Sequence, residues 1–293
     1  MHRSYLDVAR QGKNQWWRYV IGIFIAQFCF QVLSILVLLL LLYGLSIALS
    51  QSTLDRIPQP LAAYVFVNFP FIFFALGTVL TVAWIHHRPV LTLISAERVF
   101  RFKRFWAGFG AWFLMLAGSQ MAFLWLTPET YQFSWEPLQW LLFLPFALIL
   151  TPIQTMAEEL FFRGYLMQGL GLINRHPLFL MGVTSFLFVL PHMGNPEIQR
   201  GFIWVGLSYW VWGVFFAAIT LKDDRLELAM GSHAANNLFA ALLVNSADSV
   251  LPSPAVWTVE PGDPRSSLIY QLGISAAFYC LFFGWGKSSR SKP

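Results

Sequence analysis

Charge is what this sequence has least of. Asp, Glu, Lys and Arg make up 11% of its 293 residues, against about 25% in a soluble domain. That shortage excludes an ordinary water-soluble fold, which needs ionic side chains over its surface. Cysteine is nearly absent too. Cys29 and Cys280 both fall inside apolar runs, so there is no disulfide framework and no thiolate metal motif. There is no internal repeat, no low-complexity tract and no soluble domain. The sequence contains no His-Glu-x-x-His, no Gly-x-Ser-Gly and no pair of aspartates within an apolar run. A net charge of +5 does not point to nucleic acid, because the basic residues sit in short loops between apolar runs, where they set membrane topology.

What is present is apolar and aromatic: 57% hydrophobic and 17% aromatic residues, with a mean hydropathy of +0.59. The expected fold class is an all-α membrane protein of about eight transmembrane helices. The apolar runs place them at residues 19–49, 61–85, 105–126, from 138 onward through the run that ends in the polar stretch 157–163, 178–192, 201–221, 226–245 and 268–285. The first run is too long for a signal-peptide core and has no small-residue cleavage site, so it reads as a tilted, uncleaved span. Three regions follow: 1–137 with the first spans and a basic loop, 138–245 as the core built from spans four to seven, and 246–293 with a Pro-rich loop, the last span and a basic tail carrying Lys287, Arg290 and Lys292. The basic residues around Arg98 to Arg104 suit an interfacial helix or a plain basic loop. His86, His87 and His176 read as loop residues. Of the nineteen Lys and Arg residues, only Arg56, Arg200 and Arg265 fall on the far side of this arrangement, which leaves sixteen on the side of the termini. The expectation is a multi-pass protein of the cell membrane with both termini cytoplasmic.

The chain is organised around Glu158-Glu159-Leu160-Phe161-Phe162-Arg163. Two carboxylates and a guanidinium are costly in apolar surroundings unless paired or near water. On a helix Glu159 and Arg163 share a face, with the acid N-terminal to the base. Glu158 points about 100° away, free to face a cavity. His192 ends the fifth span directly after Pro191, and His233 and Asn237 stand four apart on the seventh. Glu158 and His192 are each seventeen residues from Arg175, so a hairpin turning there brings them to one height. His233 is eight residues beyond Arg225, about 12 Å of helix, which puts the site nearer the basic side. These groups suit peptide hydrolysis. A carboxylate or histidine takes a proton from water, and histidine and asparagine N–H groups stabilise an oxyanion. Glu158, His192 and His233 are also the ligand types that a divalent metal such as zinc accepts.

The pattern resembles the CPBP family, the type II CAAX prenyl proteases with their bacterial and bacteriocin-processing relatives. The three motifs Glu-Glu-x-x-x-Arg, Phe-x-x-x-His and His-x-x-x-Asn stand here as Glu158-Glu159-x-x-x-Arg163, Phe188-x-x-x-His192 and His233-x-x-x-Asn237. Each alone is weak; all three in order within apolar runs are specific. The resemblance covers residues 138–245. It implies an intramembrane endopeptidase acting on a membrane-associated or prenylated peptide. Glu158 and His192 would activate water, His233 and Asn237 would form the oxyanion hole, and Glu159 and Arg163 would support them. It leaves a metal-free and a metal-dependent mechanism open, and names membrane lipid and a lipidated peptide as partners. Two other classes remain. One is a scaffold or bacteriocin-immunity-type protein with the same fold. The other is a transporter with a proton relay, which would show inverted repeats.

Overall fold

A computed structural model describes residues 4–54 and 56–284. Arg3, Trp285 at the end of the last apolar run, and the tail residues Lys287, Arg290 and Lys292 lie outside the described residues. Among the described residues, eight principal helices follow the apolar runs. They are α1 (Trp16–Ala48), α2 (Gln59–Ile85), α3 (Phe102–Leu126), α4 (Pro137–Leu170), α5 (Pro177–His192), α6 (Phe202–Asp223), α7 (Glu227–Leu242) and α8 (Pro264–Phe283). Six are long and apolar enough to cross a membrane. The other two, α5 and α7, have 16 residues each, about 24 Å at 1.5 Å per residue, short of the roughly 30 Å hydrocarbon layer. The chain is a multi-pass, all-α membrane protein, as the apolar runs indicated. Its outer faces expose apolar side chains such as Phe24, Leu40, Leu114, Ile149 and Phe186, which belongs in lipid rather than water.

The short helix α7 lies among the others and is buried at twelve of its sixteen positions. It can be central because its residues are small. A Cβ on Gly231 would stand 2.1 Å from the Phe105 carbonyl oxygen, and one on Gly108 2.5 Å from that of Leu228. The α3 and α7 backbones thus meet through two glycines, as small residues allow in membrane bundles.

Of the two readings for Arg98 to Arg104, the plain loop matches: the chain runs irregularly through residues 94–101 and α3 begins at Phe102. Two features differ from the sequence reading. The two loops expected at 127–137 and 246–267 contribute to a three-stranded sheet, β1 (Tyr131–Phe133), β2 (Val244–Ser246) and β3 (Trp257–Val259). Its order is β1-β3-β2, with Tyr131 opposite Val259 in the antiparallel pair and Val244 opposite Trp257 in the parallel one. The sheet covers the end of the bundle away from the basic loops.

On the basic side the loops are more buried than expected. His86 is 2% exposed, with Nδ1 on the Lys13 carbonyl at 2.8 Å and Nε2 on the Tyr165 hydroxyl at 3.0 Å. Burial pushes its imidazole below the ordinary histidine value. It is therefore not a solvated loop residue, whereas His87 and His176 are exposed. Tyr5 is fully buried, donating to the carbonyls of Leu93 at 2.6 Å and Arg163 at 3.1 Å. The N-terminal segment thereby straps the underside of α4 where the polar stretch lies. Arg225 is 7% exposed and paired with the fully buried Glu227 at 2.6 Å.

Candidate active site in a bundle cavity

Two prolines interrupt α4, Pro145 and Pro152. Beyond them the helix widens into a π-helical stretch from Leu160 to Leu166. Such wide turns are rare and frequently mark functional sites. The polar stretch sits at this transition. Glu158 is 5% exposed, and Glu159 and Arg163 are fully buried. The ion pair expected from the spacing forms, with Arg163 Nη1 donating to Glu159 Oε1 at 3.0 Å. Arg163 Nη2 also donates to the Gly213 carbonyl at 3.1 Å, and its guanidinium lies 4.6 Å from the Phe188 ring centre. Flat contact with an aromatic face suits a weakly hydrated guanidinium.

His233 completes this arrangement. Its Nδ1 donates to the same Glu159 oxygen at 2.9 Å, because an ionised carboxylate only accepts. Phe216 stacks on its ring, with centres 4.5 Å apart. Glu159 is therefore shared between Arg163 and His233, rather than matched to Arg163 alone as the spacing suggested. Nε2 of His233 is turned to Glu158, 3.8 Å from Oε2, beyond direct hydrogen-bond range.

His192 is held from three sides. Nδ1 donates to the Phe188 carbonyl at 2.7 Å. The Phe188 and Tyr209 rings lie 4.5 and 4.6 Å from it, centre to centre. The Phe of Phe-x-x-x-His thus contacts both Arg163 and His192. The other ring nitrogen of His192 has no hydrogen bond among the described residues. Among the described residues no hydrogen bond or ion pair joins Glu158 and His192; both line one cavity.

That cavity, about 420 Å³, gathers Glu158, His192, His233 and Asn237 from α4, α5 and α7. Gln154, Asn195, Glu197 and Tyr209 line it as well, and the sequence reading singled out none of them. Asn237 Nδ2 reaches Gln154 Oε1 at 3.4 Å, and its oxygen accepts from Asn236 Nδ2 at 3.1 Å, so the amide is oriented on both sides. Asn195 Nδ2 donates to the Tyr209 hydroxyl at 2.9 Å. The sequence signal for Gln154 was available, four residues before Glu158 on the same helix. Tyr209 and Asn195 carried none. The cavity reaches beyond these groups toward the sheet. His192 ends α5 away from the Arg175 turn, and Asn195, Glu197 and Ser249 to Leu251 come from loops at the sheet end. The space therefore extends toward the sheet face rather than the basic one. There Arg200 pairs with Asp248, and this bond holds the Asp248 carboxyl below its ordinary value.

A zinc site needs three or four donors converging on one point. Among the described residues, no three His, Cys, Asp or Glu side chains are grouped to hold a metal ion. The Nδ1 atoms of both histidines are engaged, by the Phe188 carbonyl and by Glu159, which leaves each Nε2 free of hydrogen bonds among the described residues. No step below is routed through a metal.

Residues 137–239, which supply Glu158, His192, His233 and Asn237 to the cavity, match the family described as Rce1-like, type II CAAX prenyl endopeptidase Rce1-like. The chain belongs to the Rce1-like family. It is 31% identical over 292 residues, 96% of each chain, to a Bacillus subtilis (strain 168) protein described as uncharacterized protein YyaK. No solved structure matches it. The Rce1-like match places the chain among membrane endopeptidases of the CAAX-protease type. It contains all three polar motifs on α4, α5 and α7, while α1 to α3 and α8 lie outside it.

Proposed function

We propose that this Rce1-like protein hydrolyses a peptide bond of a membrane-associated or lipidated peptide without a metal, with Glu158 as general base. The observation that carries the reading is that Glu158, His192, His233 and Asn237 line one cavity. Glu159 and Arg163 lie fully buried behind them. Glu158 takes a proton from water as the water oxygen bonds to the scissile carbonyl carbon. His192, clamped by Phe188 and Tyr209, presents its second ring nitrogen to the same water. The carbonyl oxygen becomes an oxyanion and accepts from His233 Nε2–H and Asn237 Nδ2–H. Because Nδ1 of His233 already donates to Glu159, an Nε2–H on the cavity side makes the ring a cation, with Glu159 as its counter-ion. Glu158 then passes its proton to the leaving amine as the C–N bond breaks. Glu158 Oε2 and His233 Nε2 stand 3.8 Å apart, so the water on one and the oxyanion on the other belong to neighbouring positions of one tetrahedral centre.

We place both termini in the cytoplasm, with the sheet on the opposite side of the cell membrane. Cleavage of anchored peptides in nanodiscs, with and without a farnesyl group, tests the activity in ¹⁸O-labelled water. One ¹⁸O in the new carboxylate is expected, with or without a chelator. No new termini across the panel would favour a non-proteolytic scaffold.

A further inference from the structure

Gln27 and Gln31 are the polar exceptions on an apolar stretch of α1. They stand four apart, on one face, and Gln31 Nε2 donates to Gln27 Oε1 at 3.0 Å. Nearby Ser34 satisfies itself on the Phe30 carbonyl. The glutamines do not: the Gln27 amide hydrogens and the Gln31 oxygen have no partner among the described residues. Gln27 and Gln31 lie eleven and fifteen residues beyond Trp16, about 16 and 22 Å along the helix. That is well inside a hydrocarbon layer of roughly 30 Å. Water is scarce at that depth, and an unmet amide is costly there. Both glutamines line the cavity that holds Glu158 and His192. The helix also widens into a π turn at this point, Cys29–Leu33.

We propose that Gln27 and Gln31 form a clasp for the main chain of the substrate peptide. A peptide must be extended to be cut, and in an apolar setting each exposed N–H and C=O needs a partner. A carboxamide offers both a donor and an acceptor, whereas a lipid ester only accepts. Two carboxamides one helical turn apart therefore suit consecutive backbone groups, whatever the side chains. The neighbouring Phe30, Phe71 and Phe74 provide an apolar wall but no such bonds. The clasp rests on the protease reading only in taking the bound chain to be the substrate.

The test is the Gln27→Leu/Gln31→Leu double variant of the full chain in nanodiscs. A fluorescein-labelled, membrane-anchored peptide is followed by anisotropy for Kd and by cleavage for KM and kcat. Kd and KM should rise about tenfold, equal to about 1.4 kcal/mol, with kcat within about twofold. A peptide N-methylated at the backbone amides flanking the scissile bond should lose affinity for the wild type and show little further loss with the variant. Unchanged Kd and KM would overturn the clasp. So would a fall in kcat alone, which would make the glutamines a water path, or a change in oligomeric state, which would make them a helix–helix contact. If the double variant misfolds, Gln31→Leu, at the exposed position of the pair, carries the same test. Binding without any cleavage by wild type would sink the protease reading and leave the clasp standing. Cleavage with wild-type KM in the variant would sink the clasp alone.

Discussion

Arg163→Ala isolates the energetic centre of the site. The guanidinium is fully buried, with one bond to Glu159 at 3.0 Å, one to the Gly213 carbonyl at 3.1 Å and a face on Phe188. Its removal leaves a fully buried carboxylate with His233 as its single hydrogen-bond partner, since Glu159 Oε2 already has none. Breaking a buried pair from one side costs about 3–5 kcal/mol, because the surviving charge keeps its desolvation penalty. By the scaling for soluble domains, that lowers the midpoint of thermal unfolding by on the order of 10 °C. The same loss frees the Phe188 ring that braces His192, so activity should fall as well. The pair Glu159→Gln/Arg163→Met removes both charges together and should recover most of the stability, though not the activity, because His233 loses its counter-ion. Thermal unfolding in detergent of Glu159→Gln, Arg163→Met and their double variant, read as a double-mutant cycle with Arg163→Ala alongside, measures this. Wild-type stability in Arg163→Ala, or simple additivity in the double variant, would refute the reasoning.

Asn237→Ala should keep the fold, since the side chain is only partly buried. It should lower kcat by about 10²–10³, the usual cost of one oxyanion donor; a loss confined to KM would remove it from that role. Gly231→Ala drives a methyl to 2.1 Å from the Phe105 carbonyl and should destabilise by roughly 1–3 kcal/mol. Gly118→Ala, with nothing within 4 Å, should be near neutral in the same unfolding assay. Reporter fusions near Arg98 and Arg175 should read cytoplasmic and those near Glu129 and Glu260 exterior; the reverse at either pair would overturn the topology.

Helical spacing made part of this site legible. Glu159 and Arg163, four apart, pair as their spacing indicated, and Glu158, His192, His233 and Asn237 line one cavity. These relations depend on rise and periodicity, which every helix obeys. The π-helical turn beneath Arg163 has no local signature, so the sharing of Glu159 with His233 could not be read. Tyr209 and Asn195 reach His192 from elements whose approach is set by tertiary packing. His86 and Tyr5 sat in segments that look polar or basic, yet their burial comes from contacts across the bundle with Tyr165 and with the carbonyls of Leu93 and Arg163. The sheet joins two loops more than 100 residues apart in sequence, beyond the reach of periodicity. The two short helices were counted correctly, but α7 is central because of Gly231 and its small neighbours, a packing property that hydropathy does not register.

The central claim is that Glu158 is the base. It faces the cavity with 5% exposure, while Glu159 is committed to Arg163 and His233. Glu158→Gln keeps the shape and removes the basicity, so its unfolding midpoint should stay close to wild type. The decisive measurement is single-turnover cleavage of an anchored peptide by wild type and Glu158→Gln side by side in nanodiscs. Cleavage should fall to background in the variant while the peptide still binds. A folded Glu158→Gln protein that cleaves at the wild-type rate would contradict the account.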